Sequence, residues 1–463
     1  MIPVMRAAPG YANTCWPGED GGPERLCAPH GIEGLNARSG AFDLLAQRRE
    51  AGCNMAVVGN GGRIYLLRSI FGRTVFGEPA KAIVEEVDPL TLELKASSPV
   101  LPAGPWWMGA LVAHADGGLI AVSGRWVHRL NPDTLEVESA RELPTDRAHN
   151  SCLILDDGTL IIKDFERSVT EPALLNALDP VTLEDRAEPI SMGETVIARI
   201  ASSGSTIYAA GADHAMRFQW TGSELQVDDG WRHRFRVHPG QGHAWDPVVG
   251  ADRVWFLDQG RHRFRVSMRG SALDQAPIRL HSVPVENSSL ATEVVVCGVP
   301  GGAATNPPVV DPDRRIAIGY DSANGWITAY DIPVDIAAAP VERWRKRLHT
   351  APHLVRFADT GELVAFDHRA PWPMTLPAVS RLLDWKLAEP LRRSGLRWPG
   401  LEPKLASKFA GEDMVVLDIE SGEEKARATM PVLAQSVSWP TAGENQDVLM
   451  ATMTGLFRVG ASA

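Results

Sequence analysis

Short apolar runs separated by Asp, Asn and Gly turns recur from one end of the chain to the other. Met55-Ala56-Val57-Val58 passes through Asn60-Gly61-Gly62 to Ile64-Tyr65-Leu66-Leu67, and Cys152-Leu153-Ile154-Leu155 passes through Asp156-Asp157-Gly158 to Leu160-Ile161-Ile162. Copies follow at Ala110 to Val122, Ile200 to Tyr208, Val248 to Phe256, Val309 to Ile318 and Leu354 to Ala365. Each has the signature of a β-hairpin. A second mark follows most of them: Asp88-Pro89-Leu90-Thr91-Leu92-Glu93, Asn131-Pro132-Asp133-Thr134-Leu135-Glu136, Asp179-Pro180-Val181-Thr182-Leu183-Glu184 and the looser Asp418-Ile419-Glu420-Ser421-Gly422-Glu423. Asp or Asn accepts local backbone hydrogen bonds and Pro presets φ, so this tract joins a third strand to a fourth.

First strands placed near Asn54, Gly109, Asn150, Ile197, Trp245, Asn306, His353 and Ser436 give eight units at a period of roughly 40–50 residues, the pattern of an all-β propeller. Seven blades, with one weak repeat merged into a loop, is the alternative count. The last unit supplies three strands, and Ala41–Gln47 is expected to complete it, so that both chain ends close the ring and remove exposed sheet edges. The division expected is an N-terminal extension over 1–40 and a propeller over 41–463. A cap insertion over 368–413, in the seventh blade, contains a helical stripe at Val379, Leu382, Leu383 and Leu387.

Composition narrows the class. At 463 residues, 44% apolar and 22% charged, the chain is globular, which excludes disorder and coiled coil. No run reaches the roughly 18 apolar residues of a membrane helix, and the N-terminus lacks an apolar signal core. A net charge of −11 argues against general attraction to nucleic acid or anionic membrane. Five scattered cysteines offer neither a disulfide framework nor zinc spacing. A cytoplasmic protein is expected.

The stretch from Asn306 through Tyr320-Asp321 and Trp326 to Trp344 resembles a repeat of the pyrroloquinoline-quinone-type propellers, which typically have eight blades. That resemblance implies a quinone cofactor held beneath adjacent cysteines, and this chain has no Cys-Cys pair. The same stretch, with His243 to Val249 and Asn150 to Gly158, is also similar to the six-bladed calcium hydrolases of the gluconolactonase and paraoxonase type. Those repeats occur with many unrelated functions.

Candidate chemistry follows from register. The starts of first strands ring one mouth of the channel, placing Asn54, Asn150, Asp246 and Asn306 as oxygen ligands for a divalent metal, Ca²⁺ or a transition metal. His149, His243 and His353 stand beside them as proton shuttles for metal-assisted hydrolysis or elimination of a small organic ligand. Trp107 and Trp245 are candidates to stack on that ligand. The bland alternative is that polar residues at strand starts satisfy backbone groups. Asp164, Asp213, Asp258, Asp321 and Asp367 close second strands and read as turn caps.

Arg-His-Arg-Phe-Arg-Val occurs twice. It forms basic ladders at Arg232, Arg234 and Arg236 and at Arg261, Arg263 and Arg265, suited to an acidic protein or a phosphate. Without interleaved aromatics they do not suit nucleic acid. Two further readings compete with the hydrolase: a non-catalytic protein-binding scaffold and a quinoprotein-like oxidoreductase.

Overall fold

The computed structural model describes residues 7–71, 78–165, 170–258, 262–263, 271–272, 276–304, 306–369, 411–431 and 438–462. The eight hairpin repeats become eight antiparallel sheets. Blade 1 runs Cys53–Gly59, Arg63–Ile70, Ala80–Val87 and Leu94–Ser97, with Leu101–Gly104 as a fifth strand along its third. Blade 2 runs Ala110–Ala113, Leu119–Ser123, Trp126–Leu130 and Val137–Glu142; blade 3 runs Ala148–Ile154, Leu160–Phe165, Leu174–Leu178 and Ile190–Ser191. Blade 4 runs Ala201–Ser203, Thr206–Ala210, His214–Trp220 and Leu225–Arg234; blade 5 runs Val248–Gly250, Arg253–Leu257, Arg279–Pro284 and Thr292–Val295. Blade 6 is Val309–Asp311, Ile316–Asp321, Trp326–Asp331 and Val341–Arg347; blade 7 is Val355–Phe357, Glu362–Arg369, Gly411–Asp418 and Glu424–Met430.

Blade 8 takes Trp439–Gly443, Asp447–Thr452 and Gly455–Ala461 from the C-terminus and Phe42–Arg48 from the N-terminal side. Phe42 pairs with Ala461 and Arg48 with Leu456, which closes the ring as the missing-strand argument predicts. The count is therefore eight rather than seven. The helical stripe expected at 379–387 lies outside the described residues.

Burial explains the order of strands within a blade. First strands such as Cys53–Gly59 are buried along their whole length, whereas the outermost Val341–Arg347 alternates and is mostly exposed. First strands touch their neighbours around the ring. Between blades 3 and 4 the seam is tied by side chains: Asn150 Nδ2 donates to the Ile197 carbonyl at 2.8 Å, and the Ile200 N–H donates to Ser151 Oγ at 3.2 Å. Trp344 on the outer strand of blade 6 leans over blade 7 and donates its indole N–H to the Ile419 carbonyl at 2.9 Å. Its ring lies against Gly422, where a Cβ would come within 2.7 Å of it, so only glycine admits this contact.

The Asp-Pro turns form as their chemistry dictates. Asp88 Oδ1 accepts the N–H groups of Leu90 and Thr91, both at 2.9 Å, and Asp179 Oδ1 accepts those of Val181 and Thr182. The carboxylates closing second strands bond backbone: Asp321 caps a turn, while Asp164 and Asp258 accept across the hairpin from the first residue of the third strand. Asp164 Oδ1 accepts from the Leu174 N–H at 2.7 Å, Asp258 Oδ1 from Arg279 at 2.8 Å and Asp321 Oδ1 from Ala323 and Asn324.

Candidate functional site: a channel filled by the chain's own N-terminal segment

An innermost propeller strand has one edge without a sheet partner, and its backbone groups need acceptors and donors within the channel. Here the segment from Gly10 to Cys27 supplies them. The Val58 N–H of blade 1 donates to the Trp16 carbonyl at 2.8 Å, and Thr14 Oγ1 donates to the Val58 carbonyl. In blade 2 the Ala113 N–H reaches the Pro17 carbonyl at 2.7 Å, and in blade 3 the Ile154 N–H reaches Tyr11 Oη at 3.1 Å. Ser202 of blade 4 donates to Pro23, Val249 of blade 5 to Glu24 and Arg356 of blade 7 to Cys27. Cys15 Sγ donates to the Ala442 carbonyl of blade 8, and Cys27 packs among Val309 and Val310 of blade 6. Trp16 is 1% exposed and Cys27 is fully buried, so the segment is core.

The segment carries three charged side chains into the channel. The Arg25 guanidinium lies 2.5 Å from Asp20, 2.8 Å from Asp246 and 3.3 Å from Glu19. Arg199, at the entry to blade 4, lies 2.8 Å from Glu19 and donates its backbone N–H to Asp246 Oδ1 at 2.7 Å. Its side chain also bonds the carbonyls of Met108, Gly109 and Asn150 and stacks over Trp439. Trp439 Nε1 donates to Glu19 at 2.9 Å, and His353 Nδ1 meets Asp20 Oδ1 at 2.7 Å. Burial alone would push the Asp20 carboxyl up, but His353 and Arg25 outweigh it and hold the group down at about 2. Burial likewise opposes the charge on Arg25, and its three carboxylates raise the guanidinium above its ordinary value.

Of the sequence-predicted residues, Asp246 and His353 meet in this cluster, and Asn150 borders it through its carbonyl to Arg199. The Asn150 carboxamide instead ties Lys163 at 2.8 Å and Ile197, while Asn306 reaches the equivalent backbone carbonyl, Ala351, of the following blade. Asn54 donates to Ser69 Oγ at 2.8 Å. These asparagines join strands and adjacent blades. His149 is buried beside Asp164 with Nδ1 at 3.1 Å from the Gly124 carbonyl. Burial pulls it down to about 4, so it is neutral at pH 7. His243 is also buried. Trp107 is half-buried, edge-on to Phe165 at 5.2 Å, and the Trp245 backbone N–H donates to Leu257.

Glu19, Asp20, Arg25, Arg199 and Lys163 escaped the sequence reading. The available signal was the apolar content of a supposed extension: Tyr11, Cys15, Trp16, Leu26, Cys27 and Leu35 are too many for a solvated tail. Lys163 is fully buried, and desolvation pulls it down to about 7, although Asn150 Oδ1 and the Val196 and Asp164 carbonyls all accept from its Nζ.

Ligand atoms of Glu19, Asp246 and His353 lie within 4.8 Å of one another, a separation a single cation could bridge. Arg25 and Arg199 already neutralise those carboxylates, so a cation there meets two fixed positive charges. Fit to a quinone is poor on two grounds. Residues between Tyr11 and Cys27 occupy inner-strand hydrogen-bonding positions in most blades, and all five cysteines are free with no two adjacent.

Eight blades, seven of four strands and one of five, closed into a ring around an axial channel make this an eight-bladed β-propeller of the quinoprotein type in its fold. No family model matches the sequence, and no curated protein matches it. Among solved structures, a quinohemoprotein alcohol dehydrogenase from Comamonas testosteroni matches 98% of this chain and 81% of its own, at a TM-score of 0.57 and 8% identity. BamB from Moraxella catarrhalis matches over 74% of this chain and 93% of its own, at a TM-score of 0.40 and 12% identity. The resemblance read at Asn306 to Trp344 thus holds at the level of fold. The gluconolactonase resemblance gains no support, and eight blades differ from the six of that type.

Proposed function

We propose that this protein is a non-catalytic propeller scaffold, sealed on its axis by its own N-terminal segment and working through its faces. The observation that carries this reading is the channel. Backbone hydrogen bonds from residues 10–27 reach the inner strands of most blades, and the carboxylates in the channel are matched by Arg25 and Arg199. A propeller that turns over a substrate on its axis needs space there for the reacting atoms, and this one spends that space on packing. One end of the ring also carries most of the chain's variation. Second-to-third-strand connections are long in blades 1, 3, 5 and 7, as between Leu257 and Arg279 or Arg369 and Gly411, and short in blades 2, 4, 6 and 8.

The convergence of Glu19, Asp246 and His353 favours a second reading, metal-assisted hydrolysis of a small molecule. Metal analysis of purified protein separates the two. The scaffold reading expects no stoichiometric divalent ion and identical melting with and without chelator. One equivalent of tightly held metal, lost together with several degrees of melting temperature in chelator, would replace it with the metal site.

A further inference from the structure

Resting on the scaffold reading, we infer that the blade 4 end of the basic ladder is a docking pocket for an acidic, extended segment of a partner protein. The outermost strand of blade 4 ends at Arg234, and the chain continues through Arg236 and His238 toward blade 5. There a concavity of about 500 Å³ is lined by Asp213, Gln241 and the run from Arg234 to Gly240, in which Arg234, Arg236, Val237 and His238 take part. The three arginines are committed to different extents. Arg232 pairs with Glu194 at 3.3 Å. Arg236 is anchored by donating Nε to the Gln241 carbonyl at 2.7 Å, with one Nη at 3.3 Å from Asp213. Arg234 is exposed and pairs with no carboxylate among the described residues. His238 is held by Glu293 at 2.5 Å, and Glu293 also pairs with Arg279, so the rim of the pocket is fixed from behind.

A pre-positioned guanidinium beside an uncommitted one presents two planar forks to a carboxylate. Arg234 at the strand end and Arg236 just beyond it both line the concavity, so acidic side chains two apart on an extended segment, roughly 6.6 Å from one another, can each meet a guanidinium. On a protein of net charge −11 this is a local positive site in a negative field, which steers an acidic segment here and repels it elsewhere. The same surroundings disfavour a polyphosphate. Asp213 lines the pocket and Glu293 stands behind it, which penalises a dense polyanion more than spaced single carboxylates, and among the described residues no Phe, Tyr or Trp lines it to stack a base.

The test uses the full-length protein and fluorescence anisotropy with a labelled ten-residue peptide of alternating Glu and Ser. A matched peptide carrying Gln for Glu serves as control, and inorganic phosphate as competitor. The Glu peptide is expected to bind at least tenfold tighter than the Gln peptide. Its affinity should fall several-fold between 50 and 200 mM salt, and at least tenfold in Arg234→Glu, whose melting temperature stays unchanged because the side chain is exposed. Equal binding of both peptides, or undiminished binding by Arg234→Glu, overturns the proposal. So does phosphate displacing the peptide where chloride of equal ionic strength does not, since that outcome makes the pocket a phosphate site. A stoichiometric channel metal would unseat the scaffold reading without altering these affinities, so the two failures are distinguishable.

Discussion

Leu92, Leu135 and Leu183 occupy the same place in three Asp-Pro or Asn-Pro turns, and all three hold left-handed backbone with φ of 63, 57 and 61°. In the fourth such turn Gly422 holds that conformation at 71°. Left-handed backbone costs a leucine about 1–2 kcal/mol, and each of these leucines is fully buried. Burying a leucine returns about 1.5–3 kcal/mol, so the side chain outweighs the strain. Replacing Leu135 with Gly should relieve the backbone yet still destabilise by about 1–3 kcal/mol, because a buried leucine leaves a cavity. Urea unfolding at unchanged m-value measures it, and a neutral or stabilising result would mean that strain dominates. Asp20 gives a prediction with a pH signature. Its folded-state value of about 2 lies below its ordinary 3.8, so it contributes stability that is fully present above about pH 4 and is lost as pH falls toward 2. At 1.36 kcal/mol per pH unit this amounts to about 2 kcal/mol. Asp20→Asn should therefore lower stability by about that amount at pH 6 and flatten the acid limb of the stability curve, read by urea titration at each pH.

Among elements, the segment from Gly10 to Cys27 differs most from what its position in the chain suggests. It has no regular strand of its own, yet it caps the inner edges of most first strands. Amides of Val58, Ala113, Ser202, Val249 and Arg356 should exchange as slowly as those at the centre of the sheets, since each donates to a buried carbonyl of this segment. Hydrogen exchange read by mass spectrometry checks this, and fast exchange at these five sites would show the segment leaving the channel in the native state. The strands themselves were legible in the sequence because a propeller repeats one local pattern, and paired apolar runs broken by Asp, Asn or Gly turns survive in most copies. The closing strand was legible for the same reason: blade 8 lacked one strand, and Ala41–Gln47 was the unclaimed run, which the structure shows as Phe42–Arg48. The segment in the channel was not, because it repeats nothing and its hydrogen bonds go to residues as distant as Ala442. The site divided similarly. Asp246 and His353 were found from register, whereas Arg25 and Glu19 lie outside every repeat. Asn150 and Asn306 stood at equivalent positions for a reason that register alone does not reveal, the tie from each blade to the backbone of the next.

For the whole molecule, closure comes from two devices at one chain end: the strand Phe42–Arg48 in the last blade and the channel segment before it. The ring therefore has no free first or last sheet. This joins residues at opposite extremes of the sequence, as in Phe42 with Ala461 and Cys15 with Ala442. During synthesis Cys15 is made 427 residues before its partner Ala442 in blade 8. Until then the nascent chain carries Tyr11, Trp16 and Leu35 without their final burial, and the incomplete arc exposes sheet edges at both ends. Loop closure over such separations is slow, and the waiting intermediates are aggregation-prone. Recovery of soluble protein should thus be governed by how the early half is sheltered until blade 8 has been made.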